Sequence, residues 1–170
     1  MNTYIALLRA VNVGGTGKLP MTLLADLCRK AGFTEVRTYL NSGNAIFKCS
    51  KSEGAVQSAL ESALERYSGK FVGVVVRTAA EIAAVHRENP FSGKPANKTV
   101  AIFLNGHAPK DALGQLIGQH NEEVRLGRRE IYVYYPDGIG QSKLKIPLAS
   151  DGTARNMNTI TKLMALTSKL

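Results

Sequence analysis

The sequence predicts an α+β protein of two related subdomains. Apolar runs of strand length alternate with amphipathic helical stretches in the order β-α-β-β-α-β over residues 1–77, and a similar series restarts after residue 97. A chain of 170 residues is long enough for two small subdomains that share a core. We therefore expect two ferredoxin-like subdomains, at 1–77 and 98–170, joined by a connector at 78–97 and packed as one compact unit.

The elements of the first half follow from periodicity and turn residues. A continuous apolar run at 4–9 predicts a strand buried on both faces. Pro20 is typical of a helix start and Gly32 of a helix end. Two strands, a helix and a last strand follow, at 36–40, 45–49, about 53–67 and 71–77. Ser50 with Glu53 predicts a capping box for the second helix, whose apolar stripe ends at Tyr67.

The second half repeats the pattern less regularly. Thr78 and Glu81 predict a capping box that opens a short connector helix. Gly127 predicts a turn between two strands of a hairpin. The remaining elements are strands at 99–104, 123–126 and 130–135, a helix near 110–119, an extended piece at 144–148 and a final helix from about Asn156.

Composition narrows the class of protein. The net charge of +9 is spread over both halves, as expected for a solvated surface and compatible with an anionic partner. Cys28 and Cys49 are the only cysteines and show no ligand spacing, so we expect free thiols in a cytoplasmic protein. No apolar run is long enough for a membrane span. The three histidines lack a partner motif, and we expect no metal and no cofactor.

The segment from Leu8 to Pro20 is the most distinctive motif. An apolar strand turns into a glycine-rich loop with Arg9 before it and Lys18 after it. Glycines let backbone N–H groups converge on an anion, which the two cations would also attract. The segment lacks the spacing and the Ser/Thr of a phosphate-binding P-loop, and it lacks the G-x-G-x-x-G of a dinucleotide site. Two interpretations of the segment remain: an anion site of another kind, or a loop whose glycines only permit turns.

Topology gives this loop a neighbour. In a β-α-β-β unit, the loop after the first strand and the turn between the second and third strands lie at the same end of the sheet. The turn is Asn41-Ser42-Gly43-Asn44, a polar sequence that tight hairpins also require for geometry alone. We therefore expect loop 12–18 and turn 41–44 to lie close together.

Two C-terminal segments complete the candidate site. Ser142 and Lys143 lie in a glycine-rich loop whose serine is misplaced for a hydrolase elbow. The segment 153–159 is predicted to open the last helix. Capping explains Asn156 there, but Arg155 would oppose the helix dipole unless an anion accompanies it.

Several segments together resemble a family of bacterial proteins, the domain of unknown function numbered 1697. They are YIALLRAVNVGGTGKLPM, RTYLNSGNAIF, NPF, REIYVYYPDGIGQSKL and TARNMNTITKL. The resemblance spans essentially the whole chain and implies two ferredoxin-like subdomains, with no established activity. Two residues depart from the pattern of the family: Ala10 replaces a usual glycine and Met157 a usual tryptophan.

The resulting hypothesis is a binding protein for an anionic small molecule, such as a nucleotide or phosphorylated metabolite. The alternatives are an enzyme that acts on such a ligand without metal or covalent nucleophile, and a nucleic-acid-binding module, which the net charge favours but the few aromatic residues do not. The candidate ligand-binding residues are Arg9, Asn12, Gly14, Gly15, Lys18, Asn41, Ser42, Asn44, Ser142, Lys143, Arg155 and Asn156.

Overall fold

The computed structural model describes residues 1–12, 18–40 and 42–170, and within them the α+β class is confirmed. The chain divides into two compact units, Met1–Ile82 with Leu163–Leu170, and Ala83–Lys162. Three predicted ligand residues, Gly14, Gly15 and Asn41, lie outside the described residues.

The first unit has the predicted β-α-β-β-α-β order. Its sheet is antiparallel throughout, with the strand order β2-β3-β1-β4. The elements are β1 (Asn2–Leu8), α1 (Met21–Lys30), β2 (Thr34–Thr38), β3 (Asn44–Cys49), α2 (Glu53–Ser68) and β4 (Val74–Thr78), followed by α3 (Ala79–Arg87).

Apolar strands and two helices form the core of this unit. The five residues from Tyr4 to Leu8 in β1 are all buried, as the continuous apolar run predicts. Phe47 of β3 stacks on Phe33, with ring centroids 4.3 Å apart and planes 11° apart. Such an aromatic pair adds about 1 kcal/mol beyond the area it buries.

The strand at the edge of this sheet, β2, is irregular. Its pairing with β3 shifts register between Thr34 and Arg37, and Glu35 between them has a positive φ of 51°. Lys48 of β3 lies 3.3 Å from the Glu35 carboxylate. The strand is therefore bulged and carries charged side chains on an open edge.

Helix ends follow local chemistry, with one correction. Gly32 ends α1 with a φ of 90°. Thr78 and Glu81 form the predicted reciprocal cap: the Thr78 N–H donates to Glu81 Oε2 at 2.8 Å, and the Glu81 N–H donates to Thr78 Oγ1 at 3.2 Å. The predicted cap at Ser50 is wrong, because Glu53 is the first residue of α2, and Ser52 accepts instead from the Ala55 N–H.

The second unit contains another antiparallel sheet, of order β6-β7-β5-β8. The β6–β7 hairpin turns as predicted at Gly127, whose N–H donates to the Glu130 carbonyl at 2.7 Å. The elements are β5 (Thr99–Phe103), β6 (Glu123–Leu126), β7 (Glu130–Tyr134), β8 (Thr153–Asn156) and α4 (Met157–Thr167).

Two predictions for this unit are wrong. The helix expected near 110–119 is a single 3-10 turn, Ala112–Gln115. Gly114 weakens a helix there, and the following Ile117 pairs with Lys145 in an isolated bridge. The segment 153–156, expected to open the last helix, is strand β8 paired with β5, and α4 begins only at Met157.

The buried thiol of Cys28 makes the stability of the first unit fall as the pH rises through the alkaline range. Burial raises the pKa of this thiol from 9.0 to about 12. The native state therefore keeps a proton that the unfolded chain loses, so the free energy of unfolding falls as the pH rises from 9.0 towards 12. We expect Cys28 to contribute a loss of about 1 kcal/mol within about one pH unit above 9.

Urea unfolding of the wild-type protein and of Cys28→Ala across this pH range tests the expectation. The alkaline decline should be shallower in the variant. Parallel declines in the two proteins would show that Cys28 does not carry the effect.

Candidate functional site

The first sheet brings the end of β1 and the residues just after it beside the turn before β3; residues 13–17 of the predicted loop 12–18 and Asn41 of the predicted turn lie outside the described residues. Both β1 and β2 run antiparallel to β3, so the end of β1 lies beside the start of β3. Leu7 pairs with Asn44, and the Leu8 N–H donates to the Gly43 carbonyl at 2.9 Å. A Cβ on Gly43 would lie 2.6 Å from Val11 Cγ2 and 2.9 Å from Leu8 Cβ. Only glycine therefore permits this close approach.

The segment before β4 reaches the same loop from the other side. The Arg9 N–H donates to the Gly73 carbonyl at 2.9 Å. Since Leu8 pairs with Val74, the chain that leaves α2 passes directly beside Arg9 before it enters β4. Residues 8–11 thus lie between two other connections of the same unit.

A cavity of about 570 Å³ opens at this point, and we call it the basic cavity. Its volume falls in the range of small-molecule sites. Val11, Leu19 and Leu64 supply apolar wall, and Ser68 a hydroxyl group. The charged and aromatic lining residues are Arg9, Lys18, Lys70, Tyr67 and Phe71.

The lining gives this cavity a single sign of charge. It contains three cationic side chains, and none of the described residues that line it is acidic. Cations gathered in a concave, partly apolar wall raise the local concentration of anions. The arrangement therefore favours a negatively charged occupant.

Two aromatic rings stand exposed at the same cavity. Tyr67 is 51% exposed and Phe71 is 65% exposed. The sequence pattern placed Tyr67 in the buried stripe of the helix and Phe71 in a strand; both predictions are wrong, because Tyr67 lies in the last turn of α2 and β4 starts only at Val74. Exposed aromatic rings beside cations are suited to stacking on a flat, charged ligand.

Backbone strain concentrates in the two connections at this end of the sheet. Among the described residues other than glycine, four have positive φ, and three of them, Ala10, Asn12 and Leu40, lie in the loop after β1 and the turn after β2. Each such conformation costs on the order of 1 kcal/mol, and strain of this kind clusters at functional sites. Ala10 carries this cost in the wall of the basic cavity.

Asn12, a predicted ligand residue, has a structural task. Its Nδ2 donates to the Leu19 carbonyl at 2.9 Å, and its Oδ1 accepts from the Leu19 N–H at 2.6 Å. The Asn12 amide thus pairs with both backbone groups of Leu19, as a neighbouring strand would. It positions the chain on which Lys18 is carried.

Ser42 and Asn44, also predicted as ligand residues, organise the turn and do not line the basic cavity. Asn44 is fully buried, and its Nδ2 donates to the Tyr39 carbonyl at 2.7 Å and to Ser42 Oγ at 3.1 Å. These contacts shape the turn that presses on Val11.

Ser142 and Lys143 line a smaller, mixed-charge cavity of about 210 Å³ in the second unit. The Ser142 hydroxyl donates to Glu122 Oε2 and accepts from the Leu144 N–H, so it is engaged within the loop. The hydrogen bond from Ser142, together with one from the backbone of His120, lowers the pKa of Glu122. This carboxylate makes the cavity less favourable for an anion than the basic cavity.

Arg155 and Asn156 do not line that smaller cavity. Arg155 lies buried in β8, where its Nη1 donates to Thr153 Oγ1 at 2.6 Å and to the Ala154 carbonyl at 2.9 Å. Burial lowers its pKa to about 10, so it stays charged at neutral pH. The argument from a cation at a helix start is therefore wrong for Arg155, while Asn156 does cap α4 by accepting from the Thr159 N–H at 2.9 Å.

Of the predicted residues, the structure thus brings Arg9 and Lys18 together in one cavity. Sequence reasoning missed three further lining residues, Lys70, Tyr67 and Phe71.

In residues 1–12, 18–40 and 42–170, no group of three or more His, Cys, Asp or Glu side chains could hold a metal ion. No helix within those ranges is both long and apolar enough to cross a membrane.

Comparison with known proteins identifies relatives but no activity. A family model described as "Protein of unknown function (DUF1697)" matches residues 1–132. The solved structure of the conserved bacterial protein SP0830 from Streptococcus pneumoniae superposes with a TM-score of 0.81 at 21% identity, covering 98% of each chain. At that identity the likeness shows the fold alone. No curated protein matches the chain significantly.

Proposed function

Because the chain belongs to the DUF1697 family, whose description names no activity, we infer its function from the site. We propose that the protein binds an anionic small molecule with a flat ring, such as a nucleotide, in the basic cavity. The observation that carries the proposal is the lining of that cavity. Arg9, Lys18 and Lys70 supply charge, and Tyr67 and Phe71 supply exposed rings.

The division of labour between these residues follows from their chemistry. Arg9 offers a planar guanidinium that suits bidentate contact with a phosphate, while Lys18 and Lys70 act as point charges. The rings of Tyr67 and Phe71 would contact the base, and Val11 and Leu19 would cover its edge. An anion without a ring would contact only the cations Arg9, Lys18 and Lys70.

Thermal unfolding with ADP, adenosine and inorganic phosphate tests the proposal. ADP at about 100 times its dissociation constant should add roughly 2.7 kcal/mol to the free energy of unfolding, a rise of several degrees in Tm. Adenosine, which lacks the charge, and phosphate, which lacks the ring, should each have a smaller effect.

Charge removal should weaken ADP binding selectively. We expect Arg9→Ala and Lys18→Ala each to raise the dissociation constant about tenfold, a loss of about 1.4 kcal/mol. Titration calorimetry measures this, with Lys145→Ala, an exposed lysine of the second unit, as the matched control. If no anion raises Tm, or if both cavity variants keep the wild-type affinity, the proposed site is wrong.

A further inference from the structure

A second cation-lined cavity adjoins the basic cavity in the first unit. It has a volume of about 480 Å³ and lies along α1 and α2, and we call it the helix cavity. Lys30, Lys51 and Arg66 supply its charge, and the small side chains of Ala59 and Ala63 form part of its wall. Tyr67 lines both cavities, so the two cavities meet at this residue.

Positive and negative side chains are unevenly distributed in this unit, and only positive ones line the two cavities. Residues 1–77 contain ten Lys or Arg and five Asp or Glu. Six of those cations line the two cavities, and none of the five acidic residues does. A surface solvated at random would mix the two signs.

Three of these five acidic side chains have partners outside the lining of the two cavities. Asp26 lies 3.0 Å from Arg29, and Glu35 lies 3.3 Å from Lys48. Glu61 accepts from the Val74 N–H at 3.2 Å. The charged side chains among the described lining residues of both cavities are therefore all cationic.

We propose that the basic cavity and the helix cavity together bind a single-stranded oligonucleotide, with one base stacked on Tyr67 and phosphates along the cations on either side. The inference rests on the proposed function and names its ligand class. A mononucleotide reaches the cations of one cavity, whereas a strand reaches all six. Backbone-tracking cations with interleaved exposed aromatic rings are the pattern by which proteins hold single strands.

The exposed rings are what favour a single strand over other polyanions. A duplex keeps its base faces stacked inside, so it cannot use Tyr67 or Phe71. An acidic peptide or an inorganic polyphosphate offers charge without a base. The predicted ligand therefore loses affinity when Tyr67→Ala removes the ring and keeps it in Tyr67→Phe.

Fluorescence anisotropy of labelled oligo(U) of about 12 nucleotides measures binding to the full chain. We expect wild-type protein to bind oligo(U) at least roughly tenfold more tightly than UMP. A Lys30→Ala/Lys51→Ala/Arg66→Ala variant should lose this advantage and still bind UMP as wild type does. The matched control is Lys110→Ala/Lys145→Ala/Lys162→Ala, which removes equal charge from the second unit.

Salt dependence separates phosphate contacts from other effects. The slope of log affinity against log salt for oligo(U) should fall by about 2 in the helix-cavity variant, since each lost phosphate contact removes about 0.7. If UMP binds but oligo(U) gains nothing, this inference is overturned and the proposed function stands. If inorganic polyphosphate or an acidic peptide binds as tightly as oligo(U), this inference is overturned, because the exposed rings then add nothing to the affinity. If oligo(U) and UMP fail to bind and ADP fails to raise Tm, both are overturned.

Discussion

Replacing Gly43 by alanine is expected to lower the free energy of unfolding by about 3 kcal/mol or more. Two effects add. Gly43 has a φ of 87°, where a side chain costs about 1–2 kcal/mol. Its added Cβ would also meet Val11 Cγ2 at 2.6 Å and Leu8 Cβ at 2.9 Å, and Leu8 cannot retreat without moving β1. Urea unfolding monitored by circular dichroism measures the loss.

Gly69→Ala is the matched control for this substitution. Gly69 has a similar φ of 75°, but a Cβ there would meet nothing within 4 Å. It should show only the backbone cost, on the order of 1 kcal/mol. Equal losses in the two variants would mean that the contact between the turn and the loop after β1 is not tight in solution.

Asn12→Ala is expected to cost about 2–3 kcal/mol. Both hydrogen bonds to Leu19 disappear, and alanine must adopt the φ of 55° that asparagine tolerates better. Hydrogen exchange at the Leu19 amide should quicken, because its N–H loses its acceptor. ADP affinity should fall as well, although Asn12 does not line the basic cavity, since Lys18 is no longer held in place.

Asn12→Gly separates the two contributions. Glycine also removes the side-chain hydrogen bonds but accepts the positive φ without strain. It should therefore be less destabilising than alanine and equally fast in exchange at Leu19. Protection of the Leu19 amide that survives in both variants would contradict the role assigned to the Asn12 side chain.

The part of the site that depends on chain order could be predicted from the sequence. The order of strands in a β-α-β-β unit places the end of β1 beside the turn between β2 and β3, and Leu8 and Val11 do lie against Gly43 in the structure. Arg9 and Lys18 flank a glycine-rich loop in the sequence and line one cavity in the structure. Local spacing and topology were sufficient to predict that Arg9 and Lys18 lie near each other.

The aromatic residues could not be found in this way, because periodicity does not reveal where a helix leaves its sheet. The 16 residues of α2 span about 24 Å, whereas the five of β4 span about 17 Å. Because Glu61 of α2 already accepts from the N–H of Val74, the first residue of β4, the last turn of α2 extends past the strand. Tyr67 is therefore exposed although it continues the apolar stripe. The prediction that Arg155 lies at a helix start was wrong because its segment becomes a strand only by pairing with β5, a contact that local sequence does not reveal.

The irregular edge strand β2 bears on how the protein behaves at high concentration. An open edge with regular, uncharged residues would invite the strands of other molecules and lead to aggregation. Here the register shift after Thr34, the positive φ of Glu35 and the charge of Arg37 disrupt the row of hydrogen-bonding groups that a foreign strand would need. The first sheet is thereby kept from growing across molecules along β2.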